Sequence, residues 1–343
     1  MSGAGRITRV DPGAAIPGGE VALECADFDT SHPLECVARF DGERARVVAL
    51  SPRRVLAIVP AGVRAGGEVA VTVESRAGEP GAAARVIVGE MLADELHHVA
   101  SPAFDPDSGA LYVTRSGSRG QRESVSLFRL DRDGEIADVT GEIVNPTGLA
   151  FDPSGQLYVT SRNDGTVYRV TEFGEATAFA RNLGIATGLA FDADGRMYVG
   201  DRTGTIYRVN GIGGAEAWAQ LESSVAAYHL AFGPDGALYV TGPTVSSYDA
   251  VMRVGANGET SVFFKGLGRP GGLAFDRAGN LYVAASYRGR RGIVRITPNG
   301  AHAELAVAGM NVIGLAFSAS GDMVVATNEE VYRLPLGIRG ILV

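Results

Sequence analysis

Pro146-Thr147-Gly148-Leu149-Ala150-Phe151-Asp152-Pro153-Ser154-Gly155-Gln156-Leu157-Tyr158-Val159, followed by Val167-Tyr168-Arg169-Val170, is a unit that the chain states once and then states again. About forty residues later come Thr187-Gly188-Leu189-Ala190-Phe191-Asp192-Ala193-Asp194-Gly195-Arg196-Met197-Tyr198-Val199 and Ile206-Tyr207-Arg208-Val209. Self-similarity at a period of roughly 40–50 residues marks a propeller or solenoid, because one unit cannot bury its apolar face alone and must stack on its neighbours. Working outward in both directions, the anchor phenylalanine recurs at Phe104, Phe151, Phe191, Phe232, Phe275 and Phe317, which makes six units.

Each anchor is followed by a turn ending in Gly109, Gly155, Gly195, Gly236, Gly279 or Gly321, and glycine supplies the positive φ of a short hairpin loop. A second strand follows directly, as in Leu157-Tyr158-Val159, and a third carries one arginine per unit: Arg129, Arg169, Arg208, Arg253, Arg295 and Arg333. A residue repeated in every unit serves the repeat, so these six arginines are read as structural. An apolar residue twelve positions before the next anchor (Val139, Phe179, Phe263 and Leu305, with Trp218 two residues early) marks an outer fourth strand. Four strands per unit and six units give a six-bladed β-propeller in an all-β chain. The last unit runs into Pro335, Gly337 and Gly340 without an outer strand, whereas Leu92 stands twelve positions before Phe104. Residues 87–93 are therefore predicted to close the sixth blade and remove its open edge.

The first part of the chain lacks the repeat. Period-two alternation (Val21, Leu23, Cys25; Cys36, Ala38, Phe40; Val55, Ala57, Val59; Val69, Val71, Val73) is punctuated by Pro12-Gly13, Pro17-Gly18-Gly19, Asp41-Gly42 and Pro60-Ala61-Gly62. This pattern predicts a small antiparallel, Ig-like β-sandwich. Asp11-Pro12-Gly13, Gly18-Gly19-Glu20-Val21, Phe28, Phe40-Asp41-Gly42 and Val59-Pro60 resemble the IPT/TIG family over nearly all of this segment. Cys25 and Cys36 fall in phase with apolar neighbours and read as small buried hydrophobes. The expected domains are a sandwich over residues 1–86, acting as a spacer or second contact, and a propeller over residues 87–343 that folds without residues 1–80.

Pro146-Thr147-Gly148-Leu149-Ala150-Phe151-Asp152 and Pro270-Gly271-Gly272-Leu273-Ala274-Phe275-Asp276 resemble the NHL repeat. The units are also similar to the gluconolactonase and senescence-marker-protein superfamily. That second resemblance implies a divalent cation held over the channel by Glu, Asn and Asp. Here the positions just before each Gly-Leu-Ala-Phe core are filled by Ala100, Thr147, Thr187, Tyr228, Gly271 and Ile313, and Ala100 stands where the family's Glu-Ser-Pro-Val-Trp segment has its glutamate. A hard cation needs several oxygen ligands, so neither metal nor cofactor is expected.

The net charge of -8 and pI near 5.3 argue against broad nucleic-acid binding. No apolar run approaches the roughly 18 residues of a membrane span. Met1 to Arg6 lack the basic and apolar regions of a secretory signal, so the default location is cytoplasmic, or extracytoplasmic if the start codon is misplaced. What remains for function is a set of departures from the repeat. His98 precedes the first blade, Tyr228-His229 replaces Thr-Gly in the fourth, Arg269 precedes the fifth, and Arg162, Arg202, Arg288, Arg290 and Arg291 are among the arginines of the loops between second and third strands. Loop arginines need no cause beyond solvation, yet their planar forks suit carboxylate and phosphate. The expectation is a polar pocket at the channel mouth holding Tyr228 and His229 between arginines. It would belong to a non-catalytic propeller that recognises a small anionic ligand or a protein partner. The alternative is a gluconolactonase-like hydrolase, or a propeller lyase, with a divergent site around His98, Tyr228 and His229.

Overall fold

The computed structural model describes residues 6–63, 66–75, 82–96, 102–118, 120–131, 134–246 and 249–341. Blades 1 to 5 occupy residues 103–140, 146–180, 186–220, 229–267 and 273–308, each built outward from the channel as four consecutive antiparallel strands. Blade 6 takes three strands from the end of the chain (Val312–Phe317, Met323–Thr327, Val331–Leu334) and its outer strand, Glu90–Ala93, from before blade 1. Glu90 pairs with Arg333 and Met91 with Tyr332 in backbone register, and the Arg333 guanidinium also binds the Glu90 carboxylate. The ring is thereby fastened by a strand remote in sequence.

The blades are held side by side by a ring of aromatic pairs. The tyrosine of each second strand packs against the anchor phenylalanine of the next blade: Tyr112 on Phe151, Tyr158 on Phe191, Tyr198 on Phe232, Tyr239 on Phe275 and Tyr282 on Phe317, at centroid distances of 4.8–5.3 Å. Such pairs contribute about 0.5–1.5 kcal/mol each beyond area burial. At the sixth seam the second strand carries Val324 in place of tyrosine, and Phe104 joins Val324 in a cluster with Leu92 and Leu96. The repeated arginines lie toward the outer strands, where Arg129 pairs with Asp131, Arg253 with Asp235 and Arg295 with Glu304 at 2.8–2.9 Å.

In the N-terminal part, one sheet (Arg6–Asp11, Glu20–Ala26, Arg54–Ile58, Arg46–Ser51) faces strands Val37–Phe40, Gly67–Glu74 and Ala84–Val88 across a core that includes Val21, Leu23, Phe28, Phe40 and Val71. Cys25 and Cys36 are free and buried in this core. Burial, with the charge of Glu24, pushes the Cys25 thiol up to about 11.

Two expectations are corrected here. The sandwich is not a spacer: the short strand Ala14–Ala15 pairs in parallel with both Ala84–Val88 and the outer strand of blade 5, Ala303–Ala308, so one nine-stranded sheet runs from the channel wall into the sandwich. Ile16 donates its N–H to Ala308 at 2.9 Å, and a Cβ on Gly19 would lie 2.5 Å from the same carbonyl oxygen, so only glycine permits this approach. The boundary also moves, from between residues 86 and 87 to Gly89. Ile87 and Val88 stay in the sandwich because their backbone pairs with Ala14 and Ala15. Gly89 is wedged where a Cβ would meet Ile16 and Leu334 at 3.2 Å.

Candidate functional site

The innermost strands surround a channel that is wide at one end and narrow at the other. Where those strands begin, a cavity of about 720 Å³ opens. At the opposite end the repeated Leu-Ala-Phe segments and Ile341 leave about 190 Å³. His229, the first residue of the innermost strand His229–Phe232, borders both spaces. Protein surrounds the ring on all sides apart from the surface it shows the channel, and this desolvation pushes its pKa down to about 4. The imidazole is therefore neutral at pH 7.

Four arginines line the wide cavity: Arg162 of blade 2, Arg202 of blade 3, Arg269 in the loop between blades 4 and 5, and Arg291 of blade 5. The first three are presented by loops, each with its own internal scaffold, and Arg291 by a strand. Beside Arg162, the buried Asn145 accepts the N–H of Gly120 at 2.7 Å and donates to the carbonyls of Gly117 and Ser118 at 2.9 and 3.0 Å. Arg162 itself donates to Ser116 Oγ at 3.2 Å. Beneath Arg202, the buried Asp201 carboxylate accepts the N–H groups of Ile185 and Thr203 at 2.9 and 3.1 Å, and Arg202 Nε donates to the Ser224 carbonyl at 3.2 Å. Beside Arg269, the buried Asp249 accepts the N–H and hydroxyl of Thr244 at 2.9 and 2.8 Å and the Arg269 N–H at 3.3 Å.

Arg269 has φ of 49° and sits six residues before its anchor phenylalanine, as do Asn145 and Asn311, whose φ values are 48° and 54°. Asparagine tolerates the left-handed region and arginine is not specially suited to it, so the backbone does not explain the arginine. Arg291 is placed by alternation. The central hairpin of blade 5, Leu281–Tyr287 and Arg290–Ile296, is longer than its counterparts. Successive residues on a strand face opposite ways: Arg290 turns to Asp11 of the sandwich at 2.6 Å, and Arg291 turns to the cavity.

Of the residues singled out by sequence, the cavity brings together Arg162, Arg202, His229 and Arg269. Tyr228 does not join them. Its side chain is 3% exposed and borders a separate space of about 380 Å³ between blades 3 and 4, and its hydroxyl donates to the Glu222 carbonyl. Gly200 and Gly242 make room for its ring, with Cβ positions that would lie 3.1 and 2.6 Å from Tyr228 atoms. Burial and nearby acidic charge push its hydroxyl up to about 12. Tyr228 is therefore a packing residue. Arg288 stacks over Tyr287 at 5.0 Å from the ring centroid, on the hairpin tip, and is not part of the cavity wall. His98 lies outside the described residues. Arg291, one of the loop arginines that the sequence offered, lines the cavity too, and Asn311 and Asn328 line it although the sequence reading did not single them out.

Among the described residues no carboxylate lines the cavity, and no group of three His, Cys, Asp or Glu stands close enough to hold a metal ion. At the wall positions before the Leu-Ala-Phe core stand Thr147, Thr187, Gly271 and Ile313, with four guanidinium groups nearby. This donor set does not fit the divalent cation that the gluconolactonase resemblance implies.

A family described as strictosidine synthase-like, N-terminal, matches residues 188–209, within blade 3. No curated protein matches the chain in sequence. Among solved structures, a gluconolactonase from Xanthomonas campestris is similar with a TM-score of 0.59 and 19% identity, over 72% of this chain and 88% of that one. Virginiamycin B lyase from Staphylococcus aureus is similar with a TM-score of 0.53 and 15% identity, over 78% of this chain and 91% of that one. An auxiliary nutrient binding protein from Bacteroides ovatus reaches a TM-score of 0.52 and 16% identity over 97% of this chain and 98% of its own, so that likeness takes in the N-terminal part as well. The chain thus has the all-β fold of the gluconolactonase-type β-propellers, extended by an N-terminal pair of sheets.

Proposed function

We propose that the wide cavity is the working site and takes a small anionic substrate, whose carboxylate or phosphate is held by the arginines and whose reacting end reaches His229. One observation carries this reading: four guanidinium groups line a single cavity of about 720 Å³ whose wall, among the described residues, includes no carboxylate. Arginine forks match the oxygens of carboxylate and phosphate two at a time, and a concave wall of one charge raises the local concentration of its counter-ion. Conversion of the ligand is favoured over simple retention by the fold shared with a lactonase and a lyase. The catalytically inactive variant of that lyase, solved with quinupristin, has a histidine replaced by alanine. In this chain the neutral imidazole of His229 is the proton acceptor that the cavity offers. The N-terminal sandwich is assigned to the Ig-like, IPT/TIG kind on its facing antiparallel sheets, with the task of bracing blade 5.

The test is calorimetric titration with small carboxylates and sugar phosphates, followed by lactone hydrolysis and elimination assays on whichever class binds. Arg202→Gln should weaken anion binding by about tenfold or more, the loss of a charged hydrogen-bond partner, while leaving the melting temperature nearly unchanged because the side chain is exposed. Equal affinity for neutral and anionic sugars, or undiminished affinity in Arg202→Gln, would overturn the reading.

A further inference from the structure

The chain segment that enters blade 4 is longer than its counterparts. From the arginine of a third strand to the next anchor phenylalanine, Arg129 to Phe151, Arg169 to Phe191, Arg253 to Phe275 and Arg295 to Phe317 each span 22 positions, whereas Arg208 to Phe232 spans 24. The two extra residues are not in the outer hairpin, because Arg208 pairs with Glu216 in the register that joins Arg129 to Ala137, Arg169 to Thr177 and Arg253 to Ser261. They fall between Gln220, which ends the outer strand of blade 3, and His229, which starts blade 4. Val225, Ala226 and Ala227 of this segment line the wide cavity. The buried Ser224 pins it on both sides: its N–H donates to the Arg202 carbonyl at 2.9 Å and its hydroxyl to the Pro243 carbonyl at 3.0 Å. The Val225 N–H donates to the same Pro243 carbonyl at 2.8 Å, the Ala226 N–H to Ser224 Oγ at 3.2 Å and the Tyr228 N–H to Thr187 Oγ1 at 3.1 Å. With these donors engaged within the protein, the segment shows the cavity its methyl groups. The Arg202 N–H donates in turn to the Ile185 carbonyl at 3.1 Å, so Ile185, Val225 and Pro243 stand in one backbone-linked wall with Arg202 among them. Tyr228 fills the seam behind this wall, while Val225 stays 39% exposed on the cavity side.

We propose, resting on the anionic-substrate reading above, that this inserted segment sets the specificity of the wide cavity: the ligand is an anion whose body beside the charged group is apolar, a phenyl or branched alkyl group, and not a chain of hydroxyls. An apolar group laid on Ile185, Val225 and Pro243 is driven there by leaving water. A hydroxyl in the same place gives up its hydration and meets methyl groups where it needs a partner. The buried Asp201 beneath Arg202 does not supply that partner, since its carboxylate already accepts the N–H groups of Ile185 and Thr203 and the Thr203 hydroxyl.

The experiment is calorimetric titration of the full chain with anions matched in head group and different in body: 3-phenylpropionate and isovalerate against gluconate and glycerate, and phenyl phosphate against glycerol 3-phosphate. Within the head-group class that binds, the member with the apolar body should bind about tenfold tighter or more. Val225→Thr exchanges one exposed methyl for a hydroxyl of similar shape. It should weaken the apolar-bodied member about threefold and leave the hydroxylated member and the melting temperature unchanged. Hydroxylated anions that bind as tightly as their apolar partners, or a Val225→Thr variant that treats the two members alike, would overturn the assigned specificity while leaving the anion site standing. If no anion of either kind binds, the anionic-substrate reading falls and the specificity falls with it.

Discussion

An imidazole enclosed at the waist of a channel gives up its proton early, and folding carries the consequence. The pKa of His229 is pushed down to about 4 by desolvation, whereas the unfolded chain holds a histidine near 6.5. Between those values the unfolded state binds more protons, so the stability contributed by the neutral imidazole is complete above pH 6.5 and lost as pH falls toward 4. By pH 4.5 the loss is roughly 2–3 kcal/mol. His229→Gln should remove it, so that the variant gains on the wild type by about this amount between pH 7 and pH 4.5 when urea midpoints are compared. A difference between the two that stays constant across this range would mean that the imidazole is not enclosed. The same residue shows where sequence reading succeeds and where it fails. His229 was visible as a bulky residue in place of glycine, but adjacency in sequence suggested that Tyr228 shared its pocket. Alternation along a strand sends neighbours to opposite faces, and it sent Tyr228 into the seam between blades 3 and 4.

At the scale of the element, the long hairpin of blade 5 couples the sandwich to the cavity. Arg290 reaches back to the Asp11 carboxylate at 2.6 Å and to the backbone carbonyls of Asp11 and Glu20. Both partners are largely shielded, with side chains 17% and 32% exposed. A double-mutant cycle on Arg290→Met and Asp11→Asn should therefore give a coupling of about 1–3 kcal/mol in denaturant unfolding. Because Arg291 is the next residue, Arg290→Met should also weaken anion binding although no cavity residue has changed. Additive effects on stability together with unaltered binding would show the hairpin to be held by its own ladder alone. Six repeats, their hairpin glycines and the anchor phenylalanines were legible because each feature recurs. The join between Ala15 and Ala308 was not, since a two-residue parallel strand has neither length nor alternation to announce it. Arg291 stood among the loop arginines that the sequence offered, but its direction was not legible for a related reason: it depends on Arg290 finding a partner some 280 residues away.

For the whole molecule, the N-terminal sheets and the propeller share one sheet and one apolar cluster. Ala14 and Ile16 belong to the same apolar cluster as Phe317 and Leu334 of blade 6, so a chain lacking residues 1–80 would expose that surface and the outer edge of blade 5. Such a truncation should melt well below the full protein, and removal of residues 1–95, which also takes Glu90–Ala93 out of blade 6, should lower the melting temperature further. A truncated chain that melts with the intact protein would restore the sandwich to the status of an appendage. The fastening of the ring has a temporal side as well. Glu90 and its partner Arg333 are 243 residues apart, and synthesis proceeds at about 5–20 residues per second. The closing strand therefore leaves the ribosome on the order of tens of seconds before the blade it completes. During that interval a finished sandwich and five successive blades wait with two unpaired edges, and any nascent chain released early retains them as adhesive surfaces for its neighbours.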